Sequence, residues 1–272
     1  GKKTVPADTK LKVLTTITPL YCFTKNIAGD LAEVENLLPS GINPHEYSAS
    51  PADVKKISEA QVLIKNGVNL ELWLDRLIAS AGRKELAVVD SSLGVELIGN
   101  DPHIWLSPKN AIIQAENIGA ALAKADPDNS RKYMENTREY IKQLSILDEE
   151  IINEIKTWKQ KEFVAFHSAF LYFEKDYGLR QVAVIQESPE KGPAPKHIAN
   201  VINIIRAKNI KTIFTEPQAS HKIIESISQD LKLQVYTLDN LETGIPYPGW
   251  YEDRMRANLE VLKKALKDGF TD

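Results

Sequence analysis

Cysteine is almost absent from this chain, and its scarcity removes several kinds of chemistry. The 272 residues include one cysteine, Cys22. An intramolecular disulfide, a multi-cysteine zinc site and a Cys-x-x-Cys redox pair are therefore excluded. Cys22 lies in the apolar stretch PLYCFTKNIAG, where the expected role is a buried small side chain rather than a nucleophile.

Several other signatures are also missing. No apolar run approaches the ~18 residues that a membrane-spanning helix needs. The net charge of −3 lacks the basic excess typical of nucleic-acid binders, so no nucleic-acid partner is expected. The phosphate-binding, dinucleotide-binding and zinc-protease motifs are absent, as is the nucleophile elbow of hydrolases. The absence of these motifs disfavours the enzyme classes that they identify.

The segments that are present alternate between strand-like and helical patterns, which predicts an α/β fold with mostly parallel sheets. Predicted strands in the N-terminal part are Lys12–Thr16, Glu33–Leu38, Val62–Lys65 and Leu86–Val89. The helical patterns between them cover Pro19–Ala28, Ser50–Ala60 and Leu70–Ala81. A second series of strand-like runs, FVAF, QVAVI, KTIFT and LQVYTL, begins near Phe163. The sequence therefore predicts two α/β lobes.

A long helical segment lies between the two series. Residues Ser130–Trp158 contain neither proline nor glycine, and their apolar side chains recur every three or four positions. One helix of this length would extend ~43 Å at ~1.5 Å per residue. The apolar spacing is not a strict heptad, so a helix that links two lobes is favoured over a coiled coil. The predicted domains are 1–128, a linking helix over 129–160, and 161–272.

The five histidines fall into two groups. His197 and His221 lie in the first turns of amphipathic helices, where an exposed surface position is expected. The other three lie at, or just beyond, the carboxyl ends of predicted strands, where doubly wound folds bind their ligands. These three are His45 in NPHEY, His103 in DPHIWLSP and His167 in FHSAF.

Three imidazoles in such positions suggest a metal site that needs one more ligand. Asp239 in VYTLDNL follows the last predicted strand and is the first choice, ahead of Glu216 and Glu46. Glu216 could instead hydrogen-bond to an imidazole N–H, and Asp101 could hold the loop of His103. A shell of three nitrogens and one oxygen suits zinc, with manganese or iron bound less selectively. The predicted metal ligands are His45, His103, His167 and Asp239, two from each lobe, with the ion in the cleft between the lobes.

Four ordered blocks of this chain resemble one protein family over nearly the whole sequence. The blocks are LLPSGINPHEYSASPADVKKISEAQVLIKNGVNLELWLDRL, DPHIWLSPKNAIIQAENIGAALAKADP, VAFHSAFLYFEKDYGL, and FTEPQ followed by VYTLDNL. The family comprises the cluster A-I (cluster 9) solute-binding proteins, the metal-binding subunits of bacterial ABC importers for zinc and manganese. Position by position, the resemblance implies the same ligands, His45, His103, His167 and Asp239. Manganese-specific relatives commonly carry Glu where His167 stands, so a histidine here favours zinc or a broad zinc/manganese site.

The resemblance also implies a fold, a function and a location. We expect two α/β lobes joined by a long rigid helix, and a monomeric receptor that carries out no catalysis. It would bind zinc, with manganese as the second candidate because the His-rich loop of many zinc binders is absent. The ion would pass to an ABC permease in the cytoplasmic membrane. We expect a location outside the cytoplasm, with the periplasm and a lipid anchor on the outer face of the membrane both open.

Two other functions stay open at this point. One is a zinc hydrolase that would use the same ligands, a metal-bound water, and Glu216 or Glu46 as general base. The other is a surface adhesin, a role often attributed to the family, which is compatible with transport. No feature of the sequence tests the adhesin role.

Overall fold

A computed structural model of the protein describes residues 10–186, 192–219 and 221–267, without the side chains of Glu46, His221 and Lys222. The strands are β1 Leu11–Thr15, β2 Ala32–Asn36, β3 Val62–Lys65, β4 Ala87–Asp90, β5 Glu162–His167, β6 Arg180–Gln186, β7 Thr212–Thr215 and β8 Gln234–Thr237. The helices are α1 Thr18–Ala28, α2 Pro51–Glu59, α3 Leu74–Ala81, α4 Pro108–Ala125, α5 Ser130–Ile155, α6 Leu171–Tyr177, α7 Pro195–Ala207, α8 His221–Leu231 and α9 Trp250–Leu262. This alternation confirms the α/β prediction.

The strands form two four-stranded sheets whose paired strands are all parallel. Their orders are β2-β1-β3-β4 and β6-β5-β7-β8, so the two sheets share one topology. In each sheet the strand order changes direction next to the strand that comes first in the sequence. This point lies between β1 and β3 in one sheet and between β5 and β7 in the other. Ligands of doubly wound folds bind at the carboxyl ends of the strands on either side of such a reversal.

The chain divides into two compact units. The first contains the residues up to Val95 together with Asn110–Leu144 and Glu242–Gly249, and the second contains Glu96–Lys109, Ser145–Leu241 and the residues from Trp250 onward. Two segments therefore belong to a different unit from the residues on either side of them in the sequence. The segment with His103 belongs to the second unit, and a short segment after β8 belongs to the first.

The long helix predicted between the two series of strands is present as α5. Its apolar positions are almost fully buried along its length, at Tyr133, Tyr140, Leu144, Leu147, Ile151 and Ile155. This row, at intervals of three, four and seven residues, is the one that the sequence pattern predicts. The helix ends at Ile155, three residues earlier than predicted, and Trp158 N donates to the Ile155 carbonyl in the turn that follows.

Each unit has its own hydrophobic core. In the first, Leu14 and Leu63 of the sheet pack with Ile57 of α2 and with Leu74 and Leu77 of α3. The core of the second unit joins strand residues to α7 and α8 through Val164, Ile213, Val201, Ile205, Ile224 and Ile227. Helices therefore cover the buried face of each sheet. The polar residues of interest lie at the ends of the strands.

Helix α3 begins four residues later than the predicted Leu70. The residues before it form a loop in which Val68 and Asn69 have positive φ angles of 51° and 60°. The buried carboxylate of Glu71 accepts hydrogen bonds from Asn66 N at 2.7 Å and Gly67 N at 3.1 Å. Leu70 N and Leu74 N donate to the carbonyls three residues before them, of Gly67 and Glu71, at 3.1 and 3.0 Å, so these residues form turns and the helix starts only at Leu74.

Candidate metal centre

His45 lies in a short helical turn between β2 and α2. The turn spans Pro44–Glu46, and the Asn43 side-chain oxygen accepts a hydrogen bond from His45 N at 2.8 Å. The His45 imidazole Nε2 lies 3.2 Å from Glu242 Oε1. The first unit thus holds one imidazole and one carboxylate side by side.

Glu242 belongs to the segment after β8 that joins the first unit. This segment is bound to α1, because the Asn26 side-chain amide donates to the Pro248 carbonyl at 2.7 Å and Cys22 Sγ lies 3.4 Å from the Tyr247 carbonyl. Glu242 is 5% exposed. The sequence reasoning did not single it out. The feature of the sequence that could have identified Glu242 is its position, three residues after Asp239 in the same loop.

His103 is held by a carboxylate two residues before it. Asp101 Oδ1 lies 3.0 Å from His103 N and 2.5 Å from His103 Nδ1. The Asp101 carbonyl in turn accepts a hydrogen bond from the Tyr172 hydroxyl at 3.0 Å. Asp101 therefore acts as the sequence reasoning suggested, because it holds the loop of His103 and binds the imidazole as well.

The residues that follow His103 explain why its segment belongs to the second unit. The Trp105 indole N–H donates to the Asn240 carbonyl at 2.9 Å, and the Tyr251 hydroxyl donates to the Trp105 carbonyl at 2.7 Å. Trp105 is completely buried. These bonds join the loop of His103 to the elements that follow β8.

His167 is the last residue of β5, and Glu216 directly follows β7, the strand next to it. His167 Nδ1 lies 2.5 Å from Glu216 Oε1. The other carboxylate oxygen of Glu216 accepts a hydrogen bond from the Asn240 amide at 2.9 Å. Both oxygens of Glu216 are thus engaged, as they are in residues that orient a metal-binding imidazole.

The two histidines of the second unit point the same nitrogen at each other. Their Nδ1 atoms each face a carboxylate, an arrangement that favours the tautomer with its hydrogen on Nδ1. The two Nε2 atoms lie 3.4 Å apart. Two nitrogens bound to one tetrahedral zinc at ~2.0–2.1 Å would be separated by about 3.3–3.4 Å. In that tautomer two lone pairs face each other, and a cation bound to both nitrogens would remove their repulsion.

Asp239, the predicted carboxylate ligand, has a clear part in shaping its loop. Its Oδ1 accepts a hydrogen bond from Leu241 N at 2.9 Å. Its backbone N and carbonyl bond to the side chain of Asn258 at 2.9 and 2.6 Å. These contacts shape the loop that leads to Glu242, whereas metal binding by Asp239 stays a prediction.

The remaining candidates of the sequence analysis lie elsewhere or cannot be described. His197 is on α7, and its Nε2 lies 2.8 Å from the Val184 carbonyl of β6, a contact that occupies the nitrogen. The side chains of Glu46 and His221 fall outside the described residues.

Comparison with known proteins identifies the family. The model of the zinc-uptake complex component A family, described as periplasmic, matches residues 13–265. This chain belongs to that family. The matched range includes all three histidines described above and the carboxylates that contact them.

Curated relatives agree with this assignment. The high-affinity zinc uptake system protein ZnuA of Bacillus subtilis is 33% identical over an alignment that covers 94% of this chain and 88% of the relative. The zinc-binding lipoprotein AdcA of Streptococcus pneumoniae is 32% identical over 95% of this chain. That alignment covers 56% of AdcA, so this chain spans little more than half the length of that relative.

Solved structures confirm the fold of two α/β lobes. The solute-binding protein FpvC of Pseudomonas aeruginosa, solved with Ni²⁺, has a TM-score of 0.88 at 30% identity, covering 97% of this chain and 99% of FpvC. FpvC has also been solved with Mn²⁺. The zinc-bound ZnuA-like domain of S. pneumoniae AdcA has a TM-score of 0.82 at 33% identity, covering 94% of this chain and 99% of the domain. Within the described part of this chain, no helix combines the length and apolar character needed to cross a bilayer.

Proposed function

We propose that this protein is the extracytoplasmic metal receptor of an ABC importer, and that it binds one zinc ion through His45, His103, His167 and a carboxylate. The observation that carries the proposal is the pair of Nε2 atoms of His103 and His167. Each ring has a carboxylate beside its Nδ1, and the two Nε2 atoms lie 3.4 Å apart. Family membership supports the delivery of the ion to a permease in the cytoplasmic membrane.

Glu242 is the carboxylate that we favour as the fourth ligand. It is buried and faces the His45 imidazole at 3.2 Å, a separation that again suits two ligands of one ion at ~2.0–2.2 Å each. Asp239 was the first choice from the sequence, and its Oδ1 is engaged by Leu241 N. The ligand atoms of this proposal are one imidazole nitrogen of each histidine and one carboxylate oxygen of Glu242.

Zinc is the proposed cargo, and manganese is the second candidate. Three imidazoles favour zinc over manganese, because affinities of nitrogen ligands rise along the Irving–Williams order. Relatives named for zinc support this choice. A close structural neighbour binds Mn²⁺ and Ni²⁺, so the cargo has to be measured.

A zinc hydrolase with the same ligands is the alternative, and one contact disfavours it. A hydrolase needs a carboxylate that can take a proton from a metal-bound water. Glu216 was a candidate, but its two oxygens are bonded to His167 and Asn240. We therefore propose binding without catalysis, and steady hydrolysis of an activated ester by the zinc-loaded protein, lost after Glu216→Gln, would revive the alternative.

The finer points of location and assembly are also proposals. We expect a monomer outside the cytoplasm, either in the periplasm or attached by a lipid to the outer face of the membrane. Fractionation of cells that produce the full-length protein separates these locations, since a lipid-anchored protein enters the detergent phase of Triton X-114. Recovery in the cytoplasmic fraction would contradict both.

Metal competition on the chelator-stripped protein tests the function. We expect one zinc ion per chain by elemental analysis, and retention of zinc when a hundredfold excess of manganese is present. Growth of zinc-starved cells should fall when the gene is deleted and recover with the wild-type copy. Binding of no divalent ion, or normal zinc accumulation in the deletion strain, would overturn the proposal.

A further inference from the structure

The turn that carries His45 is attached to the core of the first unit by one tryptophan. The Trp73 indole N–H donates a hydrogen bond to the Pro44 carbonyl at 3.0 Å, across 29 residues of sequence. Trp73 directly precedes α3 and packs, partly buried, against the hydrophobic core that includes Leu74 and Leu77. Its ring is thus held by the core while its only polar atom binds the main chain beside His45.

The other side of the turn is attached through Tyr47. The rings of Tyr47 and Trp73 meet edge to face, with centroids 4.9 Å apart and an interplanar angle of 68°. The Tyr47 hydroxyl donates to Asp53 Oδ2 at 2.6 Å, and Ser50 N donates to the same oxygen at 2.7 Å. Asp53 lies in the first turn of α2. The residues on both sides of His45 are therefore tied to helices.

The ionisation of Asp53 agrees with this arrangement. Burial opposes its charge, but the hydrogen bonds from Tyr47 and Ser50 outweigh that cost and hold the pKa of Asp53 below its usual value. The pKa of Tyr47 is raised, by burial first and by Asp53 second. The pair therefore stays an ionised carboxylate and a neutral phenol around neutral pH, which is a charge-assisted hydrogen bond.

We propose that Trp73 is a positioning residue for metal binding, which acts by fixing the Pro44–His45 main chain so that the His45 imidazole stays beside Glu242. The proposal rests on the proposed function, because it requires His45 to bind the ion. The physical reason is preorganisation. A ligand on a long irregular loop must lose conformational freedom when the ion binds, and a loop that is already ordered avoids that loss.

The test is to remove the indole donor and keep an aromatic ring. In Trp73→Phe the ring can still contact Tyr47, but the hydrogen bond to Pro44 is lost. A single neutral hydrogen bond of this kind corresponds to about a three- to tenfold loss of zinc affinity, measured by competition with a chromophoric chelator. The matched control is Trp158→Phe, which removes an indole hydrogen bond to Glu154 in the second unit and should leave the affinity unchanged.

A double-mutant cycle separates positioning from a general structural role. If Trp73 acts through His45, Trp73→Phe has no further effect on affinity in a His45→Ala background. An equal loss in both backgrounds, or no loss in the wild-type background, overturns the inference. If His45→Ala itself leaves the affinity unchanged, the proposed ligand set fails instead, so the two failures are distinguishable.

A second variant covers the case in which Trp73→Phe does not fold. Tyr47→Phe removes only the hydroxyl that binds Asp53, and thermal unfolding reports whether each variant is native. We expect Tyr47→Phe to weaken zinc binding about two- to fivefold, again only when His45 is present. An undiminished affinity in folded Tyr47→Phe would mean that the turn needs no support from this side and would count against the inference.

Discussion

His167 Nδ1 lies 2.5 Å from Glu216 Oε1, and the two residues stand at the carboxyl ends of the adjacent strands β5 and β7. A carboxylate at this distance favours the tautomer in which Nδ1 carries the hydrogen. With Nδ1 as the donor, Nε2 is the nitrogen that would bind the ion in the proposed function. The contact follows from the sheet topology, because β5 and β7 are neighbouring parallel strands whose carboxyl ends lie at the same edge.

Glu216→Gln tests that relationship. A glutamine can still accept from His167, but its amide then meets the Asn240 amide donor, so one of the two hydrogen bonds is lost. We expect zinc affinity to fall about 10- to 100-fold, the range typical of residues that orient a metal ligand. The exposed Glu225 of α8 provides the matched control, and Glu225→Gln should bind zinc as the wild type does. Unchanged affinity in Glu216→Gln would show that the tautomer needs no carboxylate.

A pair of substitutions tests whether Glu242 or Asp239, which lie in the same loop, is the carboxylate ligand. Glu242→Gln should lower zinc affinity at least about 100-fold, because a ligand should matter more than a residue that only orients one. Asp239→Asn keeps the oxygen that accepts from Leu241 N, so its affinity should stay within about twofold of the wild type. Calorimetric titration of both variants decides the matter. The reverse order of effects would restore Asp239 as the ligand.

Glu174 of α6 gives a prediction about pH. Burial, and secondarily the charge of Asp101, raise the pKa of this carboxyl to about 7. Because the folded-state pKa lies above the unfolded value, the stabilisation is complete below about pH 4.5 and is lost as the pH rises through about 7. Glu174→Gln should therefore melt roughly 2–4 °C above the wild type at pH 8 and close to it at pH 4.5.

Metal-free protein is the right sample for that comparison, because a bound ion adds its own pH dependence. Glu225→Gln serves again as the control and should follow the wild type at both pH values. A melting difference for Glu174→Gln that is the same at pH 4.5 and pH 8 would mean that Glu174 does not titrate in this interval.

The contact between α4 and α5 predicts a sharp steric effect. A Cβ added at Gly119 would lie 2.1 Å from Thr137 Oγ1 and 2.9 Å from Thr137 Cγ2, and the hydroxyl is held by the Tyr133 carbonyl. Gly119→Ala should lower the free energy of unfolding by about 1–3 kcal/mol, the usual cost of overpacking. Adding Thr137→Ala should recover part of that loss in denaturant titrations. No loss in the single variant would mean that the helices separate easily.

Much of this arrangement can be predicted from sequence because it depends on local periodicity. The buried row on α5, including Tyr140 and Ile151, follows directly from the helical repeat. The position of His167 follows from the strand pattern that precedes it. His103 and Asp101 are two residues apart, so their contact too was within reach of local reasoning.

The rest depends on contacts between residues far apart in the chain. Glu242 lies beside His45 because Asn26 and other residues of α1 hold the segment around Pro248, more than 200 residues away. No periodicity applies to such a loop, so the sequence analysis chose Asp239 and passed over Glu242. The hydrogen bond from Trp73 to Pro44 was not predicted for the same reason, since it joins residues 29 positions apart.

The pairing of His103 with His167 is the central claim, and zinc titration of chelator-stripped His103→Ala and His167→Ala tests it most directly. If the two Nε2 atoms bind the same ion, each variant should lose at least about 100-fold in zinc affinity, since a lost ligand should cost more than a lost orienting residue. The double variant should then bind little more weakly than the weaker single variant, because the first substitution already breaks the site. Tight stoichiometric zinc binding in either single variant would contradict the account.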